Sequence, residues 1–131
     1  MKILFVCSGN ACRSPLAEAL LKKLRPDFEV DSAGLHVMIP ICAHTKEYLA
    51  RRKAAEFVKK KPQEISEKNL TQYNLIVAME NMHKDAVLAS CPECIKKIVV
   101  WNIEDPYFLT YEKAEAVYRQ IEDKVKEMAE S

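Results

Sequence analysis

The fold of this 131-residue chain is decided by the stretch Ile3-Leu4-Phe5-Val6-Cys7-Ser8-Gly9-Asn10-Ala11-Cys12-Arg13-Ser14-Pro15. Its first four residues are apolar, and with Lys2 they predict a short strand over residues 2–6, buried in a parallel sheet. Ser14 and Pro15 predict the start of a helix, with Ser14 at the N-cap and Pro15 at the first helical position. The residues between Val6 and Ser14 therefore form a tight loop that joins a strand to a helix.

This loop combines the residue types that bind a phosphate-like dianion. Gly9 and Asn10 tolerate left-handed conformations, so the loop can curl and direct successive N–H groups inward as an anion nest. The helix start adds unsatisfied N–H groups and the positive end of its dipole, and Arg13 adds paired donors. The expected phosphate-binding residues are Ser8, Gly9, Asn10, Ala11, Cys12 and Arg13.

Cys7 stands at the mouth of this positive field, six positions before Arg13. Such a field favours the thiolate, which is the competent nucleophile, and Ser14 can donate a hydrogen bond to it. Alone, each feature has a simpler explanation: a buried cysteine, a surface arginine and an ordinary helix start. Their joint occurrence in eight residues between a strand and a helix favours a catalytic loop with Cys7 and Arg13 at its ends.

Apolar runs and helical periodicity predict that strands and helices alternate along the rest of the chain. Such a sequence predicts an α/β fold with three layers, in which a four-stranded parallel sheet carries helices on both faces. Further strands are expected over residues 28–32, 74–79 and 97–101, and helices over 14–25, 45–60, 81–89 and 110–128. Ligands of such sheets bind beyond the carboxyl ends of the strands, where Cys7, Gly34, Glu80 and Asp105 are all expected.

The length fits a single domain over residues 1–131, and the charges nearly cancel, with 20 Lys and Arg against 19 Asp and Glu. This balance gives no push toward nucleic acid or a membrane surface, and the basic runs 51–53 and 59–61 are expected to be solvated helix faces. Five cysteines is an odd number, which favours a reducing cytoplasm over a disulfide scaffold. We expect no cleaved signal peptide, because cleavage would discard the loop.

The loop from Val6 to Pro15 resembles the phosphate-loop signature of the low-molecular-weight protein tyrosine phosphatases, whose fold is flavodoxin-like. Thioredoxin-coupled arsenate reductases share this fold and much of the loop. The resemblance covers most of the chain, in the order of the family, and extends to Asp31-Ser32-Ala33-Gly34, Tyr73-Asn74-Leu75-Ile76-Val77-Ala78-Met79 and Asp105-Pro106-Tyr107.

The resemblance implies a hydrolase of protein phosphotyrosine or other aryl phosphates that needs no metal or cofactor. Cys7 would attack phosphorus to form a cysteinyl-phosphate, while Arg13 and the loop amides bind the equatorial oxygens. Asp105 would protonate the leaving phenolate and then deprotonate the attacking water. Asn10 would support the shape of the loop, and Ser14 would stabilise the thiolate. By itself, Asp105-Pro106 would read as a turn.

The substrate cleft departs from the family pattern after Gly34, where a threonine, an aromatic residue and a second glycine are usual. This chain has Leu35-His36-Val37-Met38-Ile39-Pro40 instead, so the wall is aliphatic or formed by His36. Phe108 follows Tyr107 where some relatives carry a second tyrosine. The expected cleft residues are His36, Tyr107 and Phe108.

The other cysteines leave alternatives open. The resemblance implies that Cys12 can form a reversible disulfide with the nucleophile Cys7, or it can simply pack under the loop. Cys91 and Cys94 form a CxxC without a second pair at zinc-finger spacing, so a zinc site is weakly indicated. One alternative is that they are a redox pair, which a thioredoxin-like reductant would reduce. The other is that they are a surface thiol pair without function.

Three functions are therefore compared. The first is an aryl-phosphate phosphatase, which the acid at Asp105 favours because a phenolate must be protonated as it leaves. The second is a thiol-dependent arsenate reductase, which the additional cysteines favour. The third is a non-catalytic phosphate- or phosphopeptide-binding module, in which Cys7 would be unreactive.

Overall fold

The computed structural model describes residues 1–131 as alternating strands and helices, beginning with β1 (Lys2–Cys7) and α1 (Arg13–Leu24). β2 (Glu29–Gly34) and α2 (Ala43–Arg51) follow. A stretch with three short 3₁₀ turns then leads to β3 (Leu75–Ala78) and α3 (Asn81–Ser90). A 3₁₀ segment, Pro92–Lys97, precedes β4 (Ile98–Val100), and α4 (Tyr111–Glu130) ends the chain.

The four strands form one parallel sheet in the order β2-β1-β3-β4, so the expected three-layer α/β fold is confirmed. Side chains of β1 alternate between the two faces. Phe5 packs in a core with residues of α1, α2 and α4, whereas Leu4 packs on the opposite face with Val87 of α3. Because both neighbours of β1 run parallel to it, the carboxyl ends of β1, β2 and β3 meet at one edge of the sheet.

The helix α2 is shorter than the expected 45–60, because it ends in a Schellman motif. The N–H of Ala54 donates to the carbonyl of Leu49 (2.8 Å), and the N–H of Lys53 donates to that of Ala50 (3.1 Å). Lys53 takes the left-handed conformation with φ 57°. Glycine usually occupies this position, so the sequence carries no obvious stop signal here.

The longest helix, α4, has twenty residues and carries charged side chains along its length. No helix in the chain combines the length and the apolar character needed to cross a bilayer. Thr110 caps α4 as the sequence predicts, since its hydroxyl accepts a hydrogen bond from the N–H of Lys113.

Gly34 ends β2 where that strand touches the loop after β1. A Cβ atom at this position would lie 2.6 Å from the backbone nitrogen of Asn10 and 2.8 Å from the carbonyl oxygen of Ser8. Backbone atoms on both sides leave no flexible group to move away. Gly34 therefore allows the close approach of β2 to the loop.

Gly34→Ala is expected to lower the unfolding free energy by about 1–3 kcal/mol, as overpacking does, and to displace the loop. Urea unfolding measures the loss. Gly9→Ala is the matched control for stability, since its Cβ would meet only the carbonyl of His36 at 3.7 Å. Equal stability of Gly34→Ala and wild type would contradict the close-packing argument.

Candidate active site

The loop between β1 and α1 forms a concave ring of backbone donors. None of the N–H groups of residues 8–12 donates to an acceptor in the protein, whereas the carbonyls of Ser8 and Ala11 both accept hydrogen bonds. Asn10 has φ 53°, the left-handed conformation predicted for this loop. The N–H groups are thus free to bind an anion beside Cys7, as an anion nest requires.

Ser14 has a different place from the one predicted. The helix α1 begins at Arg13 with Cys12 at the N-cap, so Ser14 lies inside its first turn and does not cap it. Its hydroxyl oxygen lies 2.9 Å from the sulfur of Cys7 and accepts a hydrogen bond from the Asn10 amide at 2.8 Å. With that acceptor position filled by Asn10, the hydroxyl hydrogen of Ser14 can be donated to the sulfur.

The side chain of Arg13 is only 2% exposed, and its neighbours hold it rigidly. Its Nη1 pairs with the carboxylate of Glu80 and donates to the carbonyl of Ile103 at 2.7 Å. Its Nη2 lies 3.4 Å from the hydroxyl of Ser8 and faces the cavity above Cys7. The buried charge of Arg13 is therefore compensated on one side, while the other side remains available to a ligand.

Glu80 was expected at this edge of the sheet without a role, and no role in the phosphate site was predicted for His83. Glu80 is the N-cap residue of α3, and its N–H donates to Nδ1 of His83 at 3.0 Å. The Nε2 of His83 lies 2.9 Å from the hydroxyl of Ser8. The signal available in the sequence was that a polar residue, His83, follows the capping residue Glu80 by three positions.

Burial, together with the nearby Arg13 guanidinium, lowers the pKa of His83 from 6.5 to about 4. The ring is therefore neutral at pH 7. Because Nδ1 accepts from Glu80, the single ring proton lies on Nε2 and is donated to Ser8. His83 thus fixes the orientation of the Ser8 side chain at the wall of the cavity.

One cavity of about 490 Å³ brings the expected functional residues together. Asp105 lies on its rim, with Oδ2 3.9 Å from Nη2 of Arg13 and Oδ1 accepting from the N–H of Tyr107 at 3.0 Å. Its side chain is 47% exposed. The predicted residues that line this cavity are Cys7, Ser8, Gly9, Ala11, Cys12, Arg13, His36, Asp105, Tyr107 and Phe108.

The remaining walls of the cavity are apolar. Leu35, Met38 and Ile39 line one side together with His36, so the segment after Gly34 gives both the aliphatic wall and the histidine wall. Met82 of α3 also contributes and was not predicted. Tyr107 packs edge to face against Phe108, with ring centroids 4.8 Å apart. Phe108 is 90% exposed, so this aromatic pair stands at the mouth of the cavity.

The structure corrects the expected cysteine chemistry. Cys12 is bonded to Cys42, not to Cys7, and Cys7 is the single free cysteine. Cys42 precedes α2, and its N–H donates to the carbonyl of Ala11, which brings it against the loop. No local sequence pattern indicates that Cys42 contacts the loop, so its pairing with Cys12 could not be predicted.

Cys91 and Cys94 also form a disulfide, and they are buried in the core between the sheet and α3. The interpretation as a surface thiol pair is therefore wrong. Neither sulfur lines the cavity that contains Cys7. Four of the five cysteines are paired, contrary to the reading that the odd number argues against disulfides.

A parallel α/β sheet with a cysteine and an arginine flanking a ring of free amides defines the class of proteins with a phosphate-binding loop and a thiol beside it. Residues 2–131 match the family model described as low molecular weight phosphotyrosine protein phosphatase. The low molecular weight protein-tyrosine-phosphatase Wzb of Salmonella typhi is 34% identical over 138 aligned positions, which cover 99% of this chain and 93% of that protein. The chain therefore belongs to this family.

Solved structures agree with that assignment. The structure of Vibrio vulnificus Wzb in complex with benzylphosphonate superposes with a TM-score of 0.88 at 30% identity and covers 98% of this chain and 97% of that one. The YwlE arginine phosphatase from Geobacillus stearothermophilus superposes with a TM-score of 0.86 at 28% identity, covering 98% and 90%. These similarities favour a phosphatase over the arsenate reductase alternative.

The lowered pKa of His83 predicts a pH-dependent contribution to stability. The unfolded chain binds a proton on this residue near pH 6.5, while the folded protein resists protonation down to about pH 4. Stability is therefore lost as pH falls through this window. Urea unfolding at pH 7 and pH 4.5 should show that wild type loses more stability than His83→Gln. His36→Gln, at an exposed histidine, should behave like wild type, and equal losses in all three proteins would contradict the prediction.

Proposed function

We propose that this protein is a cysteine-dependent phosphatase that hydrolyses phosphotyrosine in proteins, or other aryl phosphates, through a cysteinyl-phosphate. The observation that carries the proposal is the free sulfur of Cys7 beneath a ring of unpaired amides, with Arg13 and Asp105 lining the same cavity. A binding module without catalysis would need neither a free thiol nor an acid beside the anion site.

In the first step the Cys7 thiolate attacks phosphorus, and the bond from phosphorus to the phenolic oxygen breaks. The amides of residues 8–12 and the free side of Arg13 bind the equatorial oxygens, which carry the charge in the transition state. Donors fixed in advance need no reorganisation, and Glu80 and Ile103 hold the guanidinium in place. Asp105 gives its proton to the leaving phenolate, so neutral tyrosine departs.

In the second step water attacks the phosphorus of the cysteinyl-phosphate, and the bond from phosphorus to sulfur breaks. Asp105 is now a carboxylate and accepts a proton from this water. The departing sulfur regains its charge as a thiolate, which the Ser14 hydroxyl stabilises from 2.9 Å. The products are inorganic phosphate and the free enzyme.

The cavity favours an aromatic substrate. Most of its lining is apolar, and Tyr107 and Phe108 offer ring faces and edges to a phenyl group. A phosphoarginine substrate, named for the Geobacillus stearothermophilus neighbour, would bring a guanidinium group. Asp105 is the only acidic residue that lines the cavity, and its proposed role as proton donor leaves no second carboxylate to bind that group.

The direct test compares two aryl phosphates whose leaving groups differ in basicity. Cys7→Ser should abolish turnover of both p-nitrophenyl phosphate and phenyl phosphate. Asp105→Asn should lower kcat/KM, which reports the first step alone, by roughly 10²–10⁴-fold on phenyl phosphate and by much less on p-nitrophenyl phosphate, because p-nitrophenolate needs little protonation. Glu104→Gln, at the exposed neighbour of Asp105, is the control and should resemble wild type. Unchanged kcat/KM in Asp105→Asn on phenyl phosphate would contradict the assigned acid.

We also propose that the enzyme is redox-sensitive through the disulfide between Cys12 and Cys42. Cys42 is partly exposed while Cys12 is 7% exposed, so a thioredoxin-like dithiol would attack the sulfur of Cys42. Cys12 would leave as a thiolate at the N-terminus of α1, a position that stabilises it. The second thiol of the reductant then displaces Cys42 and becomes oxidised, leaving two reduced cysteines. The disulfide between Cys91 and Cys94 has no comparable link to the site.

Reduction would release the link between the phosphate loop and the segment 35–42, which carries a wall of the cleft. Treatment with a dithiol should therefore raise KM for phenyl phosphate in wild type. Cys42→Ser should have the raised KM from the start and not respond to the dithiol, whereas Cys91→Ser should respond like wild type. A wild-type KM that is unaffected by complete reduction of Cys12 and Cys42 would contradict the proposal.

Two broader proposals concern the domain and the cellular compartment of the protein. Residues 1–131 act as one catalytic domain, which is supported by the single sheet, since its carboxyl edge and the loops and helix starts that follow it supply the residues of the cavity. The cytoplasm is the proposed compartment, because a catalytic thiol must stay reduced to act. Retention of activity by purified protein in reducing buffer tests the first, and cell fractionation tests the second.

A further inference from the structure

Lys59 was interpreted as part of a solvated basic run, and the structure overturns this. Its ammonium group lies behind the phosphate loop and donates to the side-chain oxygen of Asn10 at 2.7 Å. It also donates to the carbonyl of Ser32 at 2.8 Å and reaches the Ser32 hydroxyl at 3.3 Å. Lys60 and Lys61, its neighbours in sequence, are exposed.

These contacts decide which way the buried amide of Asn10 faces. An ammonium group has donors only, so the atom of Asn10 that meets it must be the oxygen. The backbone N–H of Gln63 donates to the same oxygen at 2.9 Å. The amide nitrogen of Asn10 must then point the other way, toward the hydroxyls of Ser14 and Ser32 at 2.8 and 2.9 Å.

The orientation of these hydrogen bonds also determines the one that reaches the proposed nucleophile, Cys7. The hydroxyl of Ser14 receives a hydrogen from Asn10, so its own hydrogen is directed at the sulfur of Cys7, 2.9 Å away. Hydrogen bonds in such a chain polarise one another, and a charged donor at its start strengthens each later bond. An ammonium group is thereby connected to the sulfur through two side chains, with Asn10 held in its left-handed conformation.

The positive charge is compensated within the same buried region. Ser32 donates to the carboxylate of Glu18, which is 2% exposed and pairs with Lys22 at 2.6 Å. Burial lowers the pKa of Lys59 from its ordinary value, and the nearby carboxylates of Glu18 and Asp31 oppose this effect by favouring the charged form. The two oxygen acceptors that Nζ contacts, on Asn10 and Ser32, also favour an ammonium group behind the loop.

We propose that Lys59 is a positioning residue for the reaction, which orients Asn10 so that Ser14 donates its hydrogen to the Cys7 thiolate. The role rests on the proposed phosphatase function and extends it to a residue that does not line the cavity. Lys59 stabilises the thiolate both before attack and when it leaves the cysteinyl-phosphate. It acts through Asn10 and Ser14 and touches no substrate.

The test measures the thiolate directly, by the pH dependence of Cys7 alkylation with iodoacetate in the absence of substrate. Lys59→Met keeps the aliphatic length and removes the donors. Its alkylation midpoint should move up by roughly one pH unit, a tenfold loss of thiolate at a pH below the midpoint. The kcat for phenyl phosphate should fall by about the same factor. The Gln63 donor remains, which limits the effect.

Lys59→Arg should retain the wild-type midpoint, since it keeps a charged donor, and Lys60→Met should do so because Lys60 is exposed. Should Lys59→Met fail to fold, Lys59→Gln supplies a neutral donor and should give a smaller upward shift. An unchanged midpoint and kcat in the folded neutral variant would overturn the proposal. That result would leave wild-type activity and its dependence on Cys7 intact, so the function itself would stand.

Discussion

The shape of one loop, held by buried hydrogen bonds, is the constraint on which the rest of the structure depends. Residues 8–12 present their N–H groups to the cavity only because Asn10 takes a left-handed conformation, and that conformation is fixed from behind by Ser14, Ser32 and Lys59. Without these contacts the loop would sample many conformations, and its N–H groups would no longer all point into the cavity. The sheet supplies the rigid edge against which the loop is fixed.

Two groups of polar residues hold the loop from opposite sides. Glu80 and His83, both from the start of α3, hold Arg13 and Ser8 at the cavity wall. Lys59 and its partners act from the side of β2. Each buried polar side-chain atom in these networks has a partner, as low-dielectric surroundings require. The positive charge that binds phosphate is therefore present before substrate arrives, which is the basis of electrostatic catalysis.

The fold and the front of the site could be predicted from the sequence because their signals are local. An apolar strand, a turn with Gly9 and Asn10, and a helix start all lie within fifteen residues of one another. The supporting residues could not be predicted because their partners are distant along the chain: Lys59 lies 49 positions from Asn10, and His83 lies 75 positions from Ser8. The same holds for Cys42, whose partner Cys12 is 30 positions away. The prediction that Ser14 is the N-cap of α1 was wrong, because a serine directly before a proline usually marks an N-cap.

The central claim is that the amides of residues 8–12 bind the phosphoryl group beside Cys7, and amide NMR on nitrogen-15-labelled protein tests it most directly. Titration with inorganic phosphate should shift the amide protons of residues 8–12 downfield along one saturating curve. The same phosphate concentrations should slow alkylation of Cys7. Saturable protection of Cys7 without movement of these amide resonances, or no phosphate binding at all, would contradict the account.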